Sequence, residues 1–123
     1  MSAPSACNTQ LWEIIVTQDT EILKEIREAL PMARYVVPCA ITVCGNTNLC
    51  KHTGTMWIQD CSAAMENILL AATALGLGSV WIGVQGVDPF VKKISRVMKL
   101  PDHVQPLGIV YIGYAAETKE PRT

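Results

Sequence analysis

Apolar positions recur every three to four residues between Asp19 and Leu30. Ile22, Leu23, Ile26 and Leu30 share one face and Lys24, Glu25, Arg27 and Glu28 the other, which predicts an amphipathic helix. Asp19 stands where an N-cap belongs, and Pro31 ends the run. Ahead of it, Leu11-Trp-Glu-Ile-Ile-Val-Thr17 is rich in β-branched and aromatic residues and predicts a strand. Cys39 to Gly45 reads as a buried strand that halts at Gly45-Asn46, with loop from Asn46 to Thr55. Asp88-Pro89-Phe90 predicts a short helix with aspartate as N-cap and proline at the first helical position. Val91, Ile94, Val97 and Met98 supply its apolar face. Leu100 to His103 is a turn, and Val104 to Tyr114 the last strand.

The segment from Met56 to Leu75 breaks this amphipathic habit. It is a long Ala/Leu-rich helix whose only formal charges are Asp60 and Glu66. A helix apolar nearly all round is buried on most sides, and in a small protein the usual covering agent is a second subunit. Gly76 sits where a left-handed cap belongs, with Leu77 placed to fold back on the last turn. Ser79-Val-Trp-Ile82 then reads as a buried strand, followed by Gly83 and Gly86. The order β-α-β-α-β-α-β predicts an α/β (α+β) sandwich with helices covering a central sheet. Without repeat, linker or low-complexity tract, residues 1–123 read as a single domain.

Half the residues are hydrophobic and 17% charged, a balance that again favours an oligomer. A net charge of −1 offers no basic field for nucleic acid. No apolar run is long enough to span a membrane, and no charged region followed by an apolar stretch marks a secretory signal. Five cysteines, odd in number and irregular in spacing, argue against a disulfide framework and for the cytoplasm. They also bear on metals. Cys39 and Cys44 are five apart on a strand, which points their side chains to opposite faces. Cys50, His52 and Cys61 could supply three ligands, but no C-x-x-C pair anchors them. The thiols therefore read as small buried hydrophobes, with no metal site. No catalytic nucleophile, Ser–His–Asp set or phosphate loop stands out.

Three stretches resemble one family. Asn67-Ile-Leu-Leu-Ala-Ala72 followed by Leu75-Gly-Leu-Gly-Ser-Val-Trp-Ile-Gly83 looks like the central segment of the FMN-dependent nitroreductases. Ala3-Pro-Ser-Ala-Cys-Asn-Thr-Gln-Leu-Trp12 is similar to that family's A-P-S-x-x-N-x-Q-P-W motif, with Leu11 where proline is usual. Val110 to Arg122 looks like its last strand and its proline- and basic-rich exit. The resemblance implies a homodimeric sandwich with a central mixed β-sheet. It implies FMN as cofactor, NADH or NADPH as electron donor, and a nitroaromatic, quinone or similar small molecule as acceptor.

It also implies a site. On their own, Ser5, Asn8 and Gln10 are ordinary turn residues. In the family this loop, carried over as Pro4, Ser5, Asn8 and Gln10, offers hydroxyl and carboxamides to the ring edge of a flavin bound mainly by the other subunit. That edge presents two carbonyl oxygens flanking an N–H. On composition alone Trp81 is a core aromatic. The resemblance instead runs the backbone of Trp81, Ile82 and Gly83 past the ring, where a missing side chain lets backbone approach. Some relatives carry an acidic residue near here. Arg122 is an ordinary solvated terminal charge by itself. By the resemblance it pairs with the FMN phosphate, to which a guanidinium can donate two parallel bonds.

Since the cofactor carries the chemistry, no catalytic side chain is expected. Relatives carry, upstream of the A-P-S motif, a helical segment with an R-x-S-x-R-type cluster that grips the phosphate and ribityl chain. The domain reads as lacking that segment. Two other readings stand beside the enzyme: a flavin-poor dimeric ligand-binding module, and a truncated remnant of the same fold.

Overall fold

A computed structural model of the chain describes residues 2–122. Strand β1 (Trp12–Thr17) leads to helix α1 (Thr20–Ala29), strand β2 (Cys39–Asn46), helix α2 (Trp57–Ala74), strand β3 (Gly78–Gly83), helix α3 (Asp88–Val97) and strand β4 (Val104–Gly113). Local chemistry sets the boundaries. Asp19 caps α1, its carboxylate accepting the N–H groups of Glu21 and Ile22 at 2.9 and 3.1 Å. At the end of α2, Gly76 takes φ +74 while its N–H reaches the Thr73 carbonyl. The Leu77 N–H reaches Ala72, completing a Schellman cap that needs the left-handed residue. Helix α3 differs from expectation. Val87, extended at φ −124, is the residue before the helix, so Asp88 lies in the first turn and makes no capping bond. Its charge still suits the helix dipole there.

The strands form one sheet in the order β1-β2-β4-β3, and every pairing is antiparallel. The expected sandwich is present, but the described strands make an antiparallel sheet rather than a mixed one. Helices α1 and α3 each return the chain to a neighbouring strand running the opposite way, whereas α2 carries it from β2 to β3, which run the same way with β4 between them. Helices α1 and α3 cover one face, where Leu23, Ile26 and Ile94 pack on Ala40, Ile82, Ile109 and Tyr111. Helix α2 covers the other, with Trp57, Cys61 and Met65 on Val43, Leu107 and Val110. Alternation along β4 serves both layers, Ile109 and Tyr111 pointing to the first and Val110 to the second. The buried Tyr111 hydroxyl donates to the Ala33 carbonyl at 3.1 Å, tying the loop after α1 to the sheet. Burial pushes its phenol pKa up.

Two expectations shift in detail. β3 is an edge strand in which only Ile82 is buried, not a buried strand, because β4 pairs with it on one side alone. The stretch after β2 is not plain loop: short 3-10 turns occupy Thr47–Leu49 and Gly54–Met56. Among the described residues no helix is long and apolar enough to cross a membrane. The outer side of α2 is apolar and uncovered, with Leu70, Ala71, Ala74 and Leu75 exposed.

Candidate functional site

The loop before β1 is held in an unusual conformation. Cys7, Asn8 and Gln10 have φ of +53, +53 and +49, a left-handed region that costs non-glycine residues on the order of 1–3 kcal/mol each unless the surroundings impose it. Here they do. The Gln10 N–H donates to Ser5 Oγ at 3.0 Å, the Asn8 N–H to the Ser5 carbonyl at 2.9 Å, and Gln10 Nε2 to Asn8 Oδ1 at 3.2 Å. The loop is also tied to α2 from both ends. The Ala6 N–H donates to Asp60 Oδ1 at 3.0 Å, and the Trp12 indole N–H to the Asp60 carbonyl at 3.0 Å. Asp60 is 7% exposed, and its Oδ2 is buried without a partner.

After these bonds the loop keeps definite outward chemistry. Ser5 Oγ accepts through its lone pairs and retains a proton to donate; Asn8 retains its amide N–H groups; Gln10 retains a carboxamide oxygen. Asn8 and Gln10 are exposed and Ser5 partly so, while Pro4 is exposed beside the buried Ala3. Both donors and acceptors remain to spare, the group types that an edge of two carbonyl oxygens about an N–H requires. The residues present fit a flavin ring edge.

The second predicted segment lies at the opposite side of the sheet. β1 and β3 are the two edges, about 14 Å apart at three strand spacings. No described hydrogen bond joins the loop to β3. Trp81 is 38% exposed, so it is not the enclosed core aromatic that composition suggests. Its indole lies over Gly108 of β4, where an added Cβ would meet Trp81 Nε1 at 2.7 Å. Ile82 points its side chain into the core shared with Ile109, leaving only its backbone available to a ligand. At Gly83 a Cβ would meet nothing within 4 Å, so packing inside the chain does not demand glycine there. Arg122 is exposed beyond β4 and makes no hydrogen bond or ion pair among the described residues. Two surface hollows lie elsewhere, one by Lys92, Arg96 and Asp102, the other between Val16 and Met98.

All five cysteines are free, and no cluster of metal-ligating residues occurs among the described residues. Cys44, Cys50 and Cys61 are buried, while Cys39 is only half-buried. A register shift between Val43 and Cys44 interrupts the strand alternation that the facing of Cys39 and Cys44 assumed. Burial pushes the Cys44 and Cys61 thiols up to about 12. Cys61 donates to the Cys44 carbonyl at 3.4 Å. The residue that sequence reasoning passed over is Asp60. A lone acid in the first turn of a helix looks like a complement to the dipole, and its grip on a loop 54 residues away carries no local signal.

Residues 54–114 match the sequence model of the nitroreductase family. A candidate NADH dehydrogenase/NAD(P)H nitroreductase from Archaeoglobus fulgidus is 42% identical over 98% of this chain and 70% of its own length. A crystal structure of a candidate NADH dehydrogenase/NAD(P)H nitroreductase from Parabacteroides distasonis superposes with a TM-score of 0.94 at 37% identity, covering 100% of this chain and 73% of that one. An FMN-dependent nitroreductase from Clostridium difficile gives 0.89 at 30% identity, over 99% and 73%. The family model takes in the apolar helix, its glycine cap and the edge strand, the Archaeoglobus relative aligns over nearly the whole chain, and the chain belongs to the nitroreductase family.

Proposed function

We propose that this chain is an FMN-dependent NAD(P)H oxidoreductase of the nitroreductase type, working as a homodimer. The observation that carries the reading is the Ser5–Gln10 loop, whose left-handed backbone is held by its own bonds while Ser5, Asn8 and Gln10 keep unused donors and acceptors, with Asn8 and Gln10 exposed. FMN, when bound, supplies electron transfer from NADH or NADPH to a nitroaromatic, quinone or similar acceptor. The chain's own residues bind and orient. Ser5 and Asn8 hold the ring edge with Gln10 beside them, Pro4 shapes the entry to the loop, and Arg122 takes the phosphate. The Trp81–Gly83 backbone passes the ring, and the empty space above Gly83 admits it. The two segments rise from opposite sheet edges, so a ring touching both is best served by two copies, loop from one and β3 from the other. The uncovered Leu70, Ala71, Ala74 and Leu75 face supplies the apolar surface for that pairing. Free thiols throughout suit the cytoplasm.

The test is oxidation of NADH or NADPH followed with FMN and an acceptor such as a quinone. Turnover that requires both supports the reading. FMN bound at full occupancy with no turnover would leave a ligand-binding module, and no FMN uptake a remnant of the fold.

A further inference from the structure

We infer that Asp60 is the positioning residue of the flavin-facing loop, an inference that rests on reading Ser5, Asn8 and Gln10 as ring-edge groups. One residue of α2 grips both flanks of that loop. Its side-chain Oδ1 takes the Ala6 N–H and its backbone carbonyl takes the Trp12 indole N–H, each at 3.0 Å. Between these anchors lie the loop's three left-handed residues, Cys7, Asn8 and Gln10. Left-handed non-glycine backbone persists only where neighbours over-determine it, and the bonds within the loop cannot fix it relative to the rest of the fold. Asp60 does that. It also stands on the rigid side of the junction, next to Cys61, which is wholly buried against the sheet.

The price of this arrangement argues for purpose. Asp60 Oδ2 is buried with no partner, and a buried unpaired acceptor destabilises a fold. Packing alone would be served better by an apolar residue at position 60. A carboxylate placed there anchors the loop at the expense of the core, as expected of a group kept for the site it positions.

Asp60→Ala and Asp60→Asn, with the wild type beside them, test this by FMN titration through fluorescence quenching and by hydrogen exchange at the Ala6 amide. Asp60→Ala is expected to weaken FMN about tenfold and to expose the Ala6 amide, while amides of β2 keep their protection. Asp60→Asn keeps a carboxamide oxygen for Ala6 and should hold FMN affinity within about threefold of wild type. Should Asp60→Ala fail to fold, Trp12→Phe removes the second anchor and is expected to weaken FMN in the same direction. A wild type that binds FMN beside an Asp60→Ala, or in its place a Trp12→Phe, that binds it equally overturns the positioning role alone. A wild type that binds no FMN overturns the reading of the loop beneath it.

Discussion

Gly108→Ala probes the contact on which the edge strand rests. Gly108 lies mid-sheet, opposite Val43 on β2 and Gly83 on β3. A Cβ there would stand 2.7 Å from Trp81 Nε1, 2.8 Å from the Ile82 carbonyl oxygen and 2.9 Å from Met65 Cε. The Met65 methyl can swing away. The Ile82 carbonyl is backbone of a paired strand and cannot, so relief requires β3 to shift or Trp81 to leave its place. Overpacking of this kind costs about 1–3 kcal/mol, and the stiffer unfolded chain returns about 0.4–1 kcal/mol of it. A net loss of about 1–2 kcal/mol follows. Urea unfolding followed by far-UV circular dichroism, at fixed protomer concentration because assembly couples stability to concentration, should show the midpoint lowered by about 0.5–1 M. Tryptophan emission should change with it. An unchanged midpoint together with an unchanged emission spectrum would refute the packing described. Gly83→Ala is the counterpart: with nothing within 4 Å of the new methyl, stability should stay within about 0.5 kcal/mol, yet FMN binding should weaken if the ring occupies that space.

Leu75, 75% exposed on the single chain, belongs to the proposed subunit interface; Leu75→Arg would bury an unpaired charge there, costing about 3–5 kcal/mol, and should sediment as a folded monomer where the wild type is a dimer. A wild type that is itself a well-folded monomer would sink that interface. The Cys44 and Cys61 thiols, raised from 9.0 to about 12 by burial, keep their protons in the folded chain at pH values where the unfolded chain loses them. Their contribution is therefore full below pH 9 and is lost as pH climbs from about 9 to about 12, so the denaturation midpoint should fall across that window. At pH 8 a thiol reagent should label the exposed Cys7 quickly and leave Cys44 and Cys61 unlabelled until the chain unfolds.

Where chemistry is local, the amino-acid order discloses the structure. Asp19 before a periodic run makes a cap wherever it occurs, and Gly76-Leu77 after an apolar helix closes it the same way. Strand order is another matter. Nothing in Ser79-Val-Trp-Ile82 tells an edge strand from a central one, since the difference is a neighbour on one side rather than two. Asp88 misleads for a related reason: the cap is defined by the dihedral angles of Val87, which no residue type at 88 reveals. The site shows the same division. Ser5, Asn8 and Gln10 are visible as polar loop residues, and the resemblance gives them a partner. The left-handed turns at Cys7 and Gln10 and the grip of Asp60 arise from contacts between distant segments, and those are legible only once the chain is folded.

The most direct measurement is FMN titration of the wild type and Asn8→Ala by fluorescence quenching. Saturable binding by the wild type is expected, with a loss of about 1–3 kcal/mol in Asn8→Ala because its partner on the ring edge is left unpaired. Superimposable curves would contradict the placement of the ring at this loop, and no quenching by the wild type at millimolar FMN would contradict the flavin-dependent function itself.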